Sequence, residues 1–329
     1  MVRIKSFRNR GSGIDWTAVG RAVRVVAPVI LFAFIVWMVG AGDVMTRLGA
    51  ADPGWMFVAL LACSAQIVLC AFRWRSTAAR LGAPIGIGRA VAEYYLSSAV
   101  NTTVPGGVAG DALRAVRTQG VARFETAAQA VVIERLAGQV ALGAVLLLGL
   151  ALSGRPELQW WAAVATGVAL LLAALIAVVR PAVPDRLVPA VFRRFGSALK
   201  SSWFDRREAV FQSILSLLIV AANLTSFAAA ARATGTAIGF PDVFFAVPLI
   251  LAAMLVPFSV AGWGYREGAA AAVFPLIGAS AVAGVSASVV FGAVFLVASL
   301  PGAVILLLRT REAQWAPDGR VAAKHDPAE

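Results

Sequence analysis

Charged residues are scarce in this 329-residue chain, in which Asp, Glu, Lys and Arg make up 14% of the positions and hydrophobic residues make up 60%. Soluble globular domains carry about 25% charged residues, which they need to cover their surface. The mean hydropathy is correspondingly high, at +0.82. This composition excludes an ordinary soluble domain and indicates a polytopic membrane protein.

Residues that support nucleophilic or metal chemistry are almost missing. The only histidine, His325, lies in the polar C-terminal stretch, which argues against a membrane phosphatase that uses histidine as nucleophile or base. Cys63 and Cys70 lie seven positions apart in an apolar run with no further ligands nearby, and therefore predict neither a zinc site nor a disulfide. No G-x-x-x-x-G-K-[ST] motif occurs, so direct use of ATP is not encoded. We expect no catalytic residues, no metal and no cofactor.

Long apolar runs, in contrast, are abundant. A helix needs about 20 apolar residues to cross a bilayer. Six full transmembrane helices are predicted on this criterion, at about 25–41, 54–72, 126–153, 158–179, 209–231 and 282–308. The first is short, with 17 uncharged residues, and relies on Arg24 reaching the interface.

The formal charge of +12 would suggest a nucleic-acid partner in a soluble protein, but here its distribution indicates membrane topology and no nucleic acid. Of the 29 basic residues, 24 fall before the first span, in alternate loops or after the last span. Because cytoplasmic loops collect Lys and Arg, both termini are predicted to be cytoplasmic. Residues 1–20 and 311–329 are expected to be disordered tails. Segment 182–208 mixes basic and aromatic residues and predicts a helix on the cytoplasmic membrane surface.

One motif occurs twice. The stretch VPGGVAGDALR at 104–114 returns at 256–266 as VPFSVAGWGYR, with six of eleven positions identical. Both copies place Pro, Gly and an arginine inside stretches that are otherwise apolar, and such residues interrupt a helix in the middle of a membrane.

The topology gives the two motifs opposite orientations. Residues 84–124 leave from and return to the cytoplasmic side, whereas 241–280 leave from and return to the outside. The chain therefore predicts inverted-topology repeats at about 22–152 and 157–308, a construction found in secondary transporters. The expected fold is an all-α polytopic membrane protein with about six full spans, two broken hairpins and eight or more membrane segments in all. Whether each hairpin is re-entrant or crosses fully stays open, although the helix-breaking residues favour re-entrant hairpins.

The motifs predict a binding site for an anionic or zwitterionic headgroup near mid-membrane. New helices are expected to begin near Gly110 and Gly262, where free N–H groups attract anions. Arg114 and Arg266 then add a grip on phosphate. The full set of predicted substrate-binding residues is Asn101, Thr102, Pro105, Gly106, Gly107, Gly110, Asp111, Arg114, Glu134, Arg135, Pro257, Ser259, Gly262, Gly264, Arg266 and Glu267.

Plainer interpretations exist for several of these residues. Glu134 and Arg135 are equally compatible with ordinary anchoring at the cytoplasmic interface, because 136–153 alone supplies 18 uncharged residues. Arg266 and Glu267 lie deep inside apolar sequence, where ionisable residues usually serve a function, but a mutual structural ion pair is the alternative. The glycines also suit close packing of helices.

Four sequence features together resemble one known family, the transmembrane region of lysylphosphatidylglycerol synthases, also called the flippase-like domain family. These features are Phe72-Arg73-Trp74-Arg75, the P-G-G-x-x-G-D-x-x-R stretch from Pro105 to Arg114, the pair Glu134-Arg135, and the P-x-S-x-x-G-x-G-x-R-E-G stretch from Pro257 to Gly268. The resemblance extends over about 20–310. Val260 and Ala261 depart from it, since a polar or proline residue and a glycine are expected there.

The resemblance implies a multi-pass protein of the bacterial inner membrane, of a type proposed to move lipids between leaflets. It also implies that aminoacyl transfer by this chain is not expected, because the synthases carry a large soluble transferase domain and about 20 residues follow Arg309 here. The expected function is a lipid translocase that works by alternating access and moves a phosphate-bearing lipid. The alternative is a non-transporting scaffold subunit for a separate lipid- or glycan-modifying enzyme. A membrane-embedded transferase using Asp111 or Glu267 as base is a third option.

Overall fold

The computed structural model describes residues 29–104, 107–118, 124–160, 163, 166–167, 190–203, 205–255 and 260–315. Its helices are α1 (Val29–Val39), α2 (Ala41–Gly49), α3 (Pro53–Arg80), α4 (Ile87–Thr103), α5 (Ala109–Thr118), α6 (Phe124–Leu152), α7 (Ala190–Trp203), α8 (Arg206–Ala233), α9 (Phe240–Ala252), α10 (Tyr265–Val273) and α11 (Ala281–Trp315). Across these ranges the structure contains helices, turns and loops but no strand.

Four helices are long and apolar enough to cross a membrane: α3, α6, α8 and α11. They confirm the spans predicted at 54–72, 126–153, 209–231 and 282–308. Asp52 begins α3 by accepting a hydrogen bond from the Gly54 N–H, and Asp205 begins α8 in the same way with Arg207. The predicted span at 158–179 lies almost entirely outside the described residues.

Residues 29–39 of the predicted first span form α1, and the chain bends at the predicted end of that span. Helix α1 ends at Val39, and the chain turns through 93° into α2. Gly40 makes the turn with a φ of 112°, a conformation that side chains with a Cβ rarely adopt. The described residues therefore contain four helices that could span a membrane, or five if the bent pair counts as one. The total of eight segments and the cytoplasmic location of the termini stay predictions.

Both predicted hairpins are interrupted helices. The first consists of α4 and α5, and the second of α9, a short 3₁₀ turn at Ala253–Leu255 and α10. Gly107 in the first interruption, and Gly262 and Gly264 in the second, have positive φ angles between 61° and 85°. Glycine permits this backbone at little steric cost, so these three glycines suit the interruptions, although of the three only Gly262 has a glycine, Gly110, at the matching position of the other motif.

Helices α3 and α8 pack side by side in opposite directions. Arg80 at the end of α3 donates to Asp205 at the start of α8, at 2.8 Å. At the other end, the Asp52 N–H donates to the carbonyl of Ala233 at 2.9 Å. The Arg80 guanidinium holds the pKa of Asp205 below its ordinary value. These contacts fix the antiparallel pair at both ends.

Each hairpin packs against a long helix from the other half of the chain. Helix α4 packs on α11, and helix α9 packs on α6. Each contact contains a glycine in the long helix. A Cβ atom at Gly302 would overlap the Tyr95 carbonyl, and one at Gly149 would overlap the backbone of Phe244. These two glycines, which lie outside the repeated motifs, therefore let backbone meet backbone.

The predicted surface segment 182–208 is described from residue 190 onward, where it forms α7 and the first turn of α8. Arg194 of α7 pairs with Glu125 at the start of α6, at 2.8 Å. The predicted tail needs one correction, because α11 continues to Trp315 and residues 311–315 are helical.

Candidate functional site

A cavity of about 280 Å³ lies between the two hairpins. Helix α4 lines the cavity from the first hairpin, and residues 261–263 line it from the second. The rest of the wall includes residues of α3, α6, α8 and α11. The repeated motifs thus meet at one polar space, although they lie 152 positions apart in the sequence.

Three carboxamide side chains show that this space lies deep in the molecule. Gln66, Gln139 and Asn223 line the cavity. Each is near the middle of its own long helix, α3, α6 and α8 respectively. The cavity therefore lies at the mid-level of three helices that are long enough to cross a bilayer.

Two arginines bring positive charge to the wall, Arg135 from α6 and Arg266 from α10. The Arg135 side chain is 46% exposed, whereas Arg266 is almost entirely buried. Among the described residues that line the cavity there is no Asp or Glu. The described lining therefore combines two cations and neutral hydrogen-bonding groups with apolar side chains such as Leu251, Phe291 and Leu296.

Behind Arg135, Asp111 links α5 to two neighbouring helices. Its carboxylate pairs with Arg135 at 2.6 Å and with Arg114 at 3.1 Å. It also accepts a hydrogen bond from the Ser97 hydroxyl of α4, at 3.2 Å. Asp111 thus orients the cation at the wall from a buried position, as a positioning residue would.

Glu134 is the centre of a buried ionic cluster. Its carboxylate accepts from Arg73 at 2.7 Å, from Arg114 at 3.4 Å and from the Tyr94 hydroxyl at 3.2 Å. The Arg114 guanidinium stacks between the rings of Tyr94 and Trp74, at 4.3 and 4.6 Å from their centroids. Cation–π contacts of this kind strengthen when they are removed from water.

This cluster decides between the two interpretations of Glu134 and Arg135. Both face the first hairpin, and Glu134 is not an interfacial anchor. It also changes two expectations. Arg73, one of the 24 basic residues assigned to the cytoplasmic side, is a buried residue of helix α3. Arg114 is fully buried behind the cavity wall. Arg114 points away from the cavity because two carboxylates and two aromatic rings enclose it.

The second motif builds a smaller cluster around Arg266. Arg266 pairs with Glu267 at 2.6 Å, and its Nε donates to the Ser288 hydroxyl of α11 at 2.8 Å. Ser288 in turn donates to Glu267 at 2.8 Å. The structural ion pair proposed as the alternative is therefore present, and Arg266 lines the cavity as well.

The helix-start amides expected to attract an anion are occupied by the protein itself. The Gly110 N–H donates to Asn101 Oδ1 at 2.8 Å, and the Gly264 N–H donates to Glu267 Oε2 at 2.7 Å. Helix α10 begins at Tyr265, three residues later than expected. An anion in the cavity would thus depend on side chains more than on these backbone groups.

The sixteen predicted binding residues fall into three groups. The cavity wall includes Asn101, Thr102, Gly107, Arg135, Gly262 and Arg266. Behind it lie Gly110, Asp111, Arg114, Glu134, Gly264 and Glu267. Pro105, Gly106, Pro257 and Ser259 lie outside the described residues.

Sequence reasoning found Asn101 and Thr102 but missed the rest of the neutral polar wall. Gln66, Gln139 and Asn223 were passed over, together with Tyr94 and Ser98. The signal was available, because a carboxamide in the middle of a transmembrane run is costly in lipid and favours a polar interior.

The fold and the site define a class: a multi-pass helical membrane protein with two interrupted hairpins around a cavity lined by two arginines. The family model described as "Lysylphosphatidylglycerol synthase TM region" matches residues 22–302. The chain belongs to this family. The comparison with curated proteins gives no match.

Proposed function

We propose that this protein moves a phosphate-bearing lipid between the leaflets of the bacterial inner membrane. The observation that carries the proposal is the cavity itself, a polar space lined by Arg135 and Arg266 at the mid-level of apolar helices. Ionisable groups at this depth are expensive and usually mark the path of a substrate. The headgroup would occupy the cavity while the acyl tails stay in lipid.

Arg135 would make the first contact with the headgroup, because its side chain is half exposed and is held from behind by Asp111. Arg266 would contact the same group from the second hairpin. Arginine suits this task, since its planar guanidinium donates two parallel hydrogen bonds to phosphate. Arg114 would act indirectly, as a positioning residue for Asp111 and Glu134.

Inverted repeats would supply the movement. Three observations support them: α3 and α8 are antiparallel, the α4–α11 contact has its counterpart in the α9–α6 contact, and each of these contacts uses one glycine, Gly302 or Gly149. Alternating access in such proteins is a rocking of one repeat against the other around a fixed site. The cavity between the hairpins is where that site would lie.

The experiment that tests the proposal is leaflet exchange of fluorescent phospholipids and of polyprenyl-phosphate lipids in proteoliposomes. We expect protein-dependent exchange that falls about tenfold or more in Arg135→Gln, because a hydrogen bond to a charged group contributes about 1.5–3 kcal/mol. Arg207→Gln is the matched control, since Arg207 is exposed at the start of α8.

Equal exchange in Arg135→Gln and Arg207→Gln would remove the cavity from the translocation path. No exchange of any lipid by wild type, with or without a pH gradient, would overturn the translocase proposal. Stable co-purification of a lipid- or glycan-modifying enzyme in that case would favour the scaffold.

A further inference from the structure

The ionic cluster beside the cavity is not neutral. Three arginines, Arg73, Arg114 and Arg135, share two carboxylates, those of Asp111 and Glu134. One positive charge is therefore left over. Among the described residues of α4 and α10, the carboxylates are already paired, Glu93 with Arg117 at 2.7 Å and Glu267 with Arg266 at 2.6 Å.

The interruptions of the two hairpins supply no missing charge either. Residues 105–106 and 256–259 contain no Asp or Glu in the sequence. Arg73 and Arg114 are buried, and Arg135, whose side chain is 46% exposed, is the member of the cluster that reaches the cavity. An anion in the cavity next to Arg135 would pair with it, and a single negative charge would balance the cluster.

The neutral part of the wall adds a second requirement. The carboxamides of Gln139 and Asn223 line the cavity and make no hydrogen bond with other described residues. Gln66 lines it too, and its Oε1 has no hydrogen-bond partner. Carboxamides both donate and accept, so three of them in different helices match a ligand with several hydroxyl groups.

From these observations we infer that the site selects a headgroup with one phosphodiester charge and uncharged hydroxyl groups, and that it rejects headgroups bearing an amine. The inference rests on the proposed headgroup site and specifies its ligand. An ammonium group would meet two arginines at the wall and no free carboxylate, which is unfavourable in a site of this polarity. Phosphoglycerol lipids and glycosyl phosphopolyprenols both carry the selected chemistry.

Binding to the purified chain in an uncharged detergent tests the inference without any transport step. Four phospholipid probes with identical acyl chains separate the two requirements: phosphatidylglycerol, phosphatidylmethanol, phosphatidylethanolamine and lysylphosphatidylglycerol. We expect phosphatidylglycerol to bind at least about tenfold more tightly than the two amine-bearing lipids, which corresponds to about 1.4 kcal/mol. Phosphatidylmethanol, which has the charge but no hydroxyl, should bind several-fold more weakly than phosphatidylglycerol.

The double variant Gln139→Leu, Asn223→Leu should close the gap between phosphatidylglycerol and phosphatidylmethanol while both still bind better than phosphatidylethanolamine. Val140→Leu is the control, because Val140 lies next to Gln139 but faces outward. A glycosyl phosphopolyprenol, added as a competitor, identifies which source of this chemistry binds more tightly.

Amine-bearing lipids that bind as tightly as phosphatidylglycerol would overturn the inference, as would failure of all four probes to bind. Selective binding without leaflet exchange in proteoliposomes would leave the inference standing and overturn the proposed translocation. Unselective exchange of all lipids, combined with unselective binding, would support the proposed translocation and overturn the inference about headgroup selection.

Discussion

Replacing Glu134 by Gln is expected to destabilise the protein by about 3–5 kcal/mol, the usual effect of removing one partner from a buried ion pair. The carboxylate receives hydrogen bonds from Arg73 and Arg114, and both arginines are buried. Without it, Asp111 remains the only carboxylate paired with the cluster. The measurement is the thermal unfolding midpoint in detergent, which should fall by roughly 10 °C or more.

Glu125→Gln is the matched control for this variant. Glu125 lies on the same helix and also pairs with an arginine, Arg194, but both partners are exposed to solvent. Exposed pairs contribute about 0–1 kcal/mol. Equal unfolding midpoints for Glu134→Gln and Glu125→Gln would contradict the assignment of Glu134 as the centre of the cluster.

Replacing Gly302 by Ala is expected to destabilise the protein by about 2–3 kcal/mol through overpacking. The added methyl group would overlap the carbonyl of Tyr95, which is backbone and has no alternative rotamer. Helices α4 and α11 would have to move apart. Gly149→Ala should behave in the same way, since its methyl group would overlap the backbone of Phe244 in α9.

Gly143→Ala is the control for both glycine variants. Gly143 lies in α6 with no atom near the position of an added Cβ. Alanine is a better helix former than glycine by about 1 kcal/mol, so this variant should be neutral or slightly more stable. Comparable losses in the unfolding midpoint for Gly143→Ala and Gly302→Ala would contradict the close-contact explanation, because helix propensity alone favours alanine at both positions.

Much of the fold could be predicted from the sequence because the membrane restricts the possible structures. A long apolar run has to become a helix, and the four runs at 54–72, 126–153, 209–231 and 282–308 do. The interruptions followed from clustered Pro and Gly. The bend at Gly40 was missed, because a single glycine in an apolar run does not by itself predict a turn.

The site was harder to predict than the fold because side-chain direction depends on packing between distant segments. The sequence placed Arg114 on the cavity wall, but Glu134, Trp74 and Tyr94 hold it behind the wall. It also counted Arg73 among loop residues, although its partner Glu134 is 61 positions away and brings it inside. Charge counting identifies ionisable residues in the membrane but not their partners.

The most direct test of a headgroup site in this cavity is photocrosslinking in proteoliposomes, using a phosphatidylglycerol analogue with a photoreactive glycerol headgroup. We predict that mass spectrometry will find adducts on the segments that carry Gln139 and Asn223, and that Arg135→Gln will strongly reduce them. Adducts confined to exposed helix ends such as those of Arg207 and Arg232, with the cavity segments unlabelled, would contradict the site.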